Sequence, residues 1–403
     1  IATGFLAGIY PAYYMTSFPP ALVLKGSFGL SPKGRQLRNA LIGVQYVASF
    51  GLIIGATFMY LQNYYMQNTP LGYDKDEIII TNMNNNIRKS RDAFASQVKS
   101  FSGIEEVTYA EMLLSSQDQY MGWGRKYRDK DIQFQCLPVE PSFLKVMNVK
   151  ISEGRDFREE DKAKRYGTFV FNERARTEYG LEIGSLIDSM EIVGFMPDVK
   201  FASFRTEVTP MAFFVWGTNN WGNQPNYAYI KVKAGSDLRG AMQHVKTTLQ
   251  SFDPEYPFNV RFFDEVLNGL YEKERSLSSL ITLFSLIAIF ISVVGVFGLV
   301  VFDSEYRKKE IGIRKVLGST TEEIIVMFNK TYIRILCVCF VLGAPIAGYV
   351  VHRWLENFAY KTPMYWWVYL IAFAIIAVIT ILTVTFQNWR AANENPVHSI
   401  KNE

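Results

Sequence analysis

The stretch Ser276–Phe302, SLSSLITLFSLIAIFISVVGVFGLVVF, contains no Asp, Glu, Lys or Arg. About 20 apolar residues in a helix cross the hydrocarbon core of a bilayer, so this run reads as a membrane span rather than as a buried helix of a soluble core. Two more uncharged stretches reach that length: Asn39–Tyr73, whose apolar part is Ala40–Leu61, and Thr362–Trp389. A shorter one, Ile335–His352, contains Pro345, which spans tolerate when neighbouring helices satisfy the freed carbonyl. Four full spans follow. A fifth, truncated one is expected at Ile1–Tyr14, which is apolar but lacks the basic start of a signal peptide and reads as the tail of a longer membrane helix. No acidic or basic residue lies within any of these spans, so no charged pathway through the bilayer is visible.

Lys and Arg in the short loops set the orientation. Lys25, Lys33, Arg35 and Arg38 precede the first full span, and Arg307, Lys308, Lys309, Arg314 and Lys315 follow the second. Both segments should be cytoplasmic, with residues 63–275 outside and the C-terminus inside. Small residues four apart, at Gly4/Gly8, Gly51/Gly55 and Ala344/Gly348, are candidates for close helix packing in lipid.

Composition agrees with spans joined to a soluble domain. Of 403 residues, 49% are hydrophobic and only 20% charged, and the formal charge of +4 is too mild to imply nucleic acid. Of three cysteines, Cys337 and Cys339 share an apolar run and Cys136 stands alone in the polar region, which excludes a disulfide-stapled domain there. His244, His352 and His398 have no Cys or acidic neighbours at ligand spacing, so neither a metal site nor a cofactor is expected.

The segment between the first two full spans alternates strand-like and helix-like runs. Glu77–Thr81, Glu106–Ala110, Thr168–Phe171, Glu191–Phe195, Met211–Trp216 and Tyr227–Val232 read as strands, and Ser90–Phe101 as an amphipathic helix. Leu238–Phe252 reads as a helix with Leu238, Met242, Val245 and Leu249 on one face. An extracytoplasmic α+β domain with two lobes is expected. No Ser-His-Asp, Cys-His or zinc-type motif occurs in it, and the acidic cluster Asp156, Glu159, Glu160 and Asp161 reads as a solvated loop. Asp264 can cap a helix that runs into the second full span, with Phe263, Leu267, Leu270 and Tyr271 along one stripe. Unbroken to Phe302, it would measure roughly 58 Å at about 1.5 Å per residue and project several turns as a stalk. The alternative is a break near Arg275–Ser279.

Glu305–Gly318, EYRKKEIGIRKVLG, lies between the second and third full spans. Ile313, Val316 and Leu317 share one face of a short helix that Gly318 can end. Ser319-Thr320-Thr321-Glu322 has capping-box spacing and can start the next helix. Such a segment is an anchor of the positive-inside kind or a surface that a cytoplasmic partner grips. Near the two ends of the chain, Pro20-Ala21-Leu22-Val23-Leu24-Lys25 and Pro396-Val397-His398-Ser399-Ile400-Lys401 share the pattern Pro-x-x-x-Leu/Ile-Lys, which suggests a duplicated chain.

Glu305–Gly318 resembles the coupling segment of FtsX-like ABC-transporter permeases. In the polar region, Glu153-Gly154-Arg155-Asp156-Phe157 is similar to the G-R-x-F turn of MacB-type periplasmic core domains. Phe171-Asn172-Glu173 and Ile192-Val193-Gly194-Phe195, with Asp198 and Pro210, are similar to further segments of that domain. Glu182-Ile183-Gly184-Ser185 departs from the usual N-P-x-G-K turn.

The resemblance implies the second half of a duplicated permease. Residues 1–25 would end a preceding repeat, and 26–38 would be a cytoplasmic linker. Residues 39–62 would form a membrane helix and 63–275 a MacB-like core domain. Residues 276–403 would form an FtsX-like domain with three spans and a coupling segment at 303–320. It implies no enzyme activity in this chain and no cofactor; the sequence has no G-x-x-x-x-G-K-[ST] phosphate loop. The implied partners are a cytoplasmic ABC ATPase on another chain, a second permease half, membrane lipid and a periplasmic adaptor or substrate. The ATPase-coupling residues would be Glu305, Arg307, Glu310, Arg314 and Lys315 for polar contacts, Ile313, Val316 and Leu317 to fill the partner's groove, and Gly312 and Gly318 for close approach. The implied location is the bacterial inner membrane. The implied function is mechanotransmission: ATP hydrolysis moves the outer domain to export or extract a lipophilic compound, a peptide or a lipoprotein. The alternative is a signal transmitter that moves nothing and activates an outer partner such as a cell-wall hydrolase. A receptor with an outer ligand domain fits less well, because it would need a cytoplasmic output domain.

Overall fold

Charge-free apolar runs become helices because, in lipid, only internal hydrogen bonding satisfies the backbone. The computed structural model describes residues 32–115, 121–219, 224–306, 313–314 and 317–392. In chain order these form α1 (Pro32–Asn68), β1 (Ile78–Asn82), α2 (Asn85–Lys89), α3 (Arg91–Lys99), β2 (Ile104–Ala110), β3 (Met121–Tyr127) and β4 (Lys130–Pro138). Then come α4 (Phe143–Val146), β5 (Glu153–Gly154), a 3₁₀ turn (Glu159–Ala163), β6 (Thr168–Asn172), α5 (Glu173–Tyr179), β7 (Leu186–Ile187) and β8 (Met190–Met196). They continue with β9 (Met211–Val215), β10 (Tyr227–Val232), α6 (Leu238–Phe252), β11 (Val260–Phe262), α7 (Phe263–Leu270), α8 (Glu272–Tyr306), α9 (Thr321–Leu355) and α10 (Trp366–Ala392). The chain divides into two units. One holds the helical segments up to Leu61, Leu277–Trp354 and from Pro363; the other holds Gln62–Ser276 with Leu355–Thr362. The expected truncated span at Ile1–Tyr14 and the Pro20 and Pro396 motifs lie outside the described residues.

Among the described residues, four helices are long and apolar enough to cross a membrane: Ala40–Asn68, Glu274–Gly298, Thr321–Leu355 and Trp366–Trp389. The third is longer than its apolar run, as the capping-box spacing after Gly318 implies. The apolar run begins near Ile335, but the helix starts at Thr321 and carries Asn329, Lys330 and Arg334 in its early turns. The helices are pinned by polar side chains, which repay their burial by bonding across helices. The Tyr46 hydroxyl meets Thr380 Oγ1 at 3.0 Å, Ser49 Oγ meets Ser292 Oγ at 2.8 Å, and Ser285 donates to the Leu52 carbonyl at 3.0 Å. Close approach occurs at glycines other than most of those expected. A Cβ at Gly43 would meet Cys339 Sγ at 3.5 Å, at Gly295 Gln45 Oε1 at 2.5 Å, and at Gly348 the Tyr369 hydroxyl at 2.8 Å. At Gly51 and Gly55 nothing lies within 4 Å, so that pair packs against no helix of the described chain.

The other unit is α+β. Strands β11-β1-β10-β2 form an antiparallel sheet in that order. Helices α3 and α6 complete a β-α-β-β-α-β connectivity of ferredoxin-like type. The second sheet, β3-β4-β9-β6-β8-β5 with β7 on β8, is mixed, and its strands are inserted between β2 and β10. One core lies between the first sheet and its helices, with Phe94, Val98, Val245 and Leu249 against Ile79 and Ile230. A second joins the two sheets through Ile78, Ile80, Phe143, Phe213, Tyr229 and Phe263. A third lies on the far side of the second sheet around Trp123, Phe134, Phe169 and Phe214.

Three expectations need correction here, and one hairpin lies outside the expected strands. The buried face of α6 is Ala241, Val245, Thr248 and Leu249, with Leu238 at 37% exposure; the small residues let the helix sit close to the sheet. The β3–β4 hairpin has little sequence signal, because Gly122 and Gly124 interrupt it and its turn residues Arg128 and Asp129, at φ 45° and 63°, are not the usual Asn-Gly. The projected stalk breaks at Tyr271 (φ −113°, ψ 13°), just ahead of the Arg275–Ser279 region proposed for a break. Asp264 sits in the first turn of α7, where it accepts from the Glu265 amide at 2.9 Å; the cap position is Phe262.

Candidate functional site

Of the ten residues singled out in the coupling segment, Arg307, Glu310, Gly312, Lys315 and Val316 lie outside the described residues. Glu305 belongs to the last turn of α8. Around Gly318 the chain closes a Schellman-type helix end: Gly318 has φ +96°, Leu317 N donates to Ile313 O at 3.0 Å, and Ser319 N donates to Arg314 O at 2.9 Å. A capping box then opens α9, one residue later than expected. Thr320 N donates to Glu323 Oε2 at 3.1 Å, and Glu323 N to Thr320 Oγ1 at 3.3 Å. Just ahead of this helix end the side chains are sharply divided. Ile313 is 56% and Leu317 80% exposed, four apart and so on one helix face. Arg314 is half-buried, its guanidinium against Met327 Sδ.

The motifs of the α+β unit have structural explanations. Gly154 stands at φ +81° where β5 crosses β8, and a Cβ there would lie 2.4 Å from Val193 O; one at Gly194 would lie 2.5 Å from Arg155 O. Only glycines allow that crossing. Arg155 forms a two-point ion pair with Asp161 (Nη1–Oδ2 2.8 Å, Nη2–Oδ1 2.7 Å), and Phe157 is buried between the sheets. Asp161 is therefore no solvated residue: it is 1% exposed and also accepts from the Arg158 amide at 2.8 Å. Burial opposes its charge, but Arg155, the Arg158 amide and Lys164 outweigh that and hold its carboxyl below the usual range. Its neighbour Asp156 is pushed up by burial. Asn172 and Asp198 both serve the start of α5, accepting from Ala175 N at 3.1 Å and Arg174 N at 2.8 Å.

One cluster was not foreseen in the sequence. Phe204, 1% exposed, lies on the β8–β9 connection. Three tyrosines surround it: Tyr65 of α1 at 6.0 Å, Tyr271 at the α7–α8 break at 6.1 Å, and Tyr360 of the α9–α10 connection at 5.9 Å. Backbone bonds follow the same pairing. The Phe204 amide donates to the Tyr271 hydroxyl at 3.2 Å, and the Phe204 carbonyl accepts from the Tyr360 amide at 3.1 Å. Arg205 Nε bonds Glu274 Oε1 at 2.8 Å, and its guanidinium lies 5.0 Å from the Phe358 ring centre. Buried Gln62, near the end of α1, donates to Tyr360 O at 3.0 Å and accepts from Thr362 N at 2.8 Å. Lys200, its pKa lowered by burial, has its ammonium 4.9 Å from the Phe204 ring and 4.5 Å from that of Tyr360. These residues are far apart in sequence and each is an ordinary core or loop type, which is why no local pattern marked them. Among the described residues, no group of His, Cys, Asp and Glu could hold a metal ion.

Comparison with known proteins places both units. A model of the MacB-like periplasmic core domain matches residues 42–248, and one of the FtsX-like permease C-terminal domain matches residues 282–396. Curated relatives include the macrolide export ATP-binding/permease protein MacB of Chromobacterium violaceum, 23% identical over 230 residues, and that of Escherichia coli strain K12, 23% identical over 233. Each alignment takes in 54% of this chain but 35% of the relative, so the chain spans about a third of the length of the curated relatives it matches. Among solved structures, the periplasmic region of MacB from Actinobacillus actinomycetemcomitans aligns with a TM-score of 0.36 and 14% identity, over 49% of this chain and 94% of that one. A domain of a putative permease protein from Porphyromonas gingivalis aligns with a TM-score of 0.32 and 18% identity, over 48% and 93%.

Proposed function

The chain belongs to the family of integral-membrane permeases that join a MacB-like periplasmic core domain to an FtsX-like C-terminal domain, and from that premise we propose that it couples ATP hydrolysis to movement of its α+β domain. The ATPase lies outside these residues, whose sequence has no phosphate loop. In this reading the protein sits in the bacterial inner membrane, with residues 63–275 in the periplasm and the turn at Gly318 in the cytoplasm. The cargo is a lipophilic compound, a peptide or a lipoprotein, a class that includes the macrolides in the relatives' names.

The observation that carries the coupling assignment is the Ile313–Leu317 face. It lies outside the span-capable helices, exposes two large apolar side chains four residues apart, and is followed directly by a Schellman-type end and then a capping box. A rigid apolar knob flanked by Lys and Arg fits the groove of a cytoplasmic ATPase. Nucleotide shifts the permease only by binding its two states with different affinity, so the knob must be gripped differently in each.

The Ile313→Asp/Leu317→Asp pair should abolish co-purification with the ATPase and lower ATP hydrolysis by the complex roughly 30-fold, as loss of a docking hot spot would. Unchanged association would end the coupling assignment. Orientation has its own test. Cys136 is fully buried and cannot report it; cysteines placed at exposed Lys130 and Leu317 can. In intact cells whose outer membrane is permeable, a probe that cannot cross the inner membrane should modify Lys130→Cys and spare Leu317→Cys. The reverse pattern would invert the topology.

A further inference from the structure

The connection between β8 and β9 is built into the second sheet at both ends. On the β8 side, Val199 and Phe201 are buried in the core between the sheets. Phe201 stacks on Tyr73 at 5.5 Å and meets Phe213 of β9 edge-on at 5.1 Å. On the β9 side, the Thr209 carbonyl accepts from Asn172 at 2.9 Å, and its hydroxyl accepts from Gln135 of β4 at 3.0 Å. A displacement applied between these anchors cannot be absorbed by slack chain. It must pass into β8 and β9, which flank β6 on either side.

At the middle of this connection stands the Phe204 cluster. Its three tyrosines come from three segments that continue directly into the span-capable helices: Tyr65 on α1, Tyr271 immediately before α8, and Tyr360 between α9 and α10. All four spans are thus represented around one phenylalanine ring. The neighbouring Arg205–Glu274 pair ties the same connection to the first turn of α8, where a carboxylate is also favoured by the helix dipole. Glu274 is buried, and among the described residues its Oε2 has no hydrogen-bond partner while Arg205 pairs with its Oε1. Gln62 locks the end of α1 to the α9–α10 connection through both ends of its amide.

We propose that Phe204, with the Arg205–Glu274 pair, is the positioning joint through which motion of the helix ends reaches the seven-stranded sheet. The joint rests on the transmission reading above and gives it a location. The ring is close-packed and incompressible, so rotation or translation of any of the three tyrosines must move it. The ion pair fixes which way the connection follows α8. Both groups belong to the α+β unit and not to the ATPase, so losing them should leave ATP hydrolysis running while the α+β domain stops responding.

The test uses the full chain with its ATPase in lipid nanodiscs. Peptide-resolved hydrogen exchange over β8 and β9 is compared between ADP and ATP with vanadate. The wild type should show a nucleotide-dependent change. Phe204→Ala should reduce that change about tenfold, a typical allosteric coupling, while keeping ATPase association and basal hydrolysis. Should Phe204→Ala fail to fold, Arg205→Glu and Glu274→Arg carry the test. Each alone should lose the response, and the charge-swapped double variant should regain it, which a generic packing defect would not do. If the wild type responds and the folded variants respond equally, the joint is elsewhere and only this proposal falls. If the wild type itself shows no nucleotide-dependent change, the transmission reading falls and takes the joint with it.

Discussion

Replacing Asn172 with alanine should destabilise the seven-stranded sheet by about 3–5 kcal/mol, at the upper end of what a single substitution does. The side chain is 1% exposed and serves three backbone groups at once. Its Oδ1 accepts from Ala175 N at 3.1 Å and from Met211 N at 3.0 Å, and its Nδ2 donates to Thr209 O at 2.9 Å. Alanine leaves all three without a partner where water cannot reach, at about 1–3 kcal/mol each. The damage falls on the start of α5 and the start of β9 together, so it should spread to the β8–β9 connection. Thermal unfolding of the purified protein should fall by roughly 10 °C, and exchange in β6 and β9 should rise before that in β1 or β10. Asn172→Ser keeps an uncharged acceptor at the start of α5, so it should cost less than alanine. Equal losses for the two variants would mean that the bond to the α5 start is not what makes the residue matter.

Asp161→Ala should cost less, about 1–3 kcal/mol, because it removes the two-point partner of Arg155 and the acceptor of the Arg158 amide, while Arg155, 30% exposed, can still reach water. The acid side of the stability curve gives an independent reading. Asp161 binds its proton less readily folded than unfolded. Its charge therefore stabilises the fold fully above the unfolded carboxylate pKa of about 3.9, and that contribution is lost as pH falls through the lower folded value. The stability gap between the wild type and Asp161→Asn should be constant through neutral pH and close only in strong acid. A gap that closed near neutrality, or that persisted unchanged to the acid limit, would separate the residue's importance from its ionisation. Both outcomes bear on how the G-R-x-F turn is understood. Gly154, Arg155 and Phe157 hold a strand crossing, a buried ion pair and a core contact, so the motif builds the scaffold on which the β8–β9 connection is mounted.

Strand and helix positions were legible wherever a short β-rich apolar run or a helical spacing is written into neighbouring residues. β10, buried on both faces, occupies the residues expected of it, and α6 does so at both ends. The same locality explains the misses. The β3–β4 hairpin relies on a turn whose positive φ is imposed at Arg128 and Asp129 by the sheet on either side rather than invited by glycine. Hydropathy alone misses the first turns of α9, where Asn329, Lys330 and Arg334 lie, but the capping-box spacing at Ser319–Glu322 marked the start of the helix to within one residue. Asp161 was indistinguishable from its acidic neighbours until Arg155 was found beside it.

By itself the sequence determined that this is a membrane protein with an α+β domain between its first and second full spans. Hydropathy and side-chain period are properties of neighbouring residues, and both bilayer insertion and sheet formation respond to them directly. Only the tertiary structure decided that Phe204 meets Tyr65, Tyr271 and Tyr360, that the projected stalk breaks at Tyr271, and that close glycine contacts fall at Gly43 and Gly295 as well as at the expected Gly348. These depend on which distant surfaces meet. Packing selects among residues whose local signals are the same, and a tyrosine at a helix end is marked as part of a joint only by the ring that lies against it.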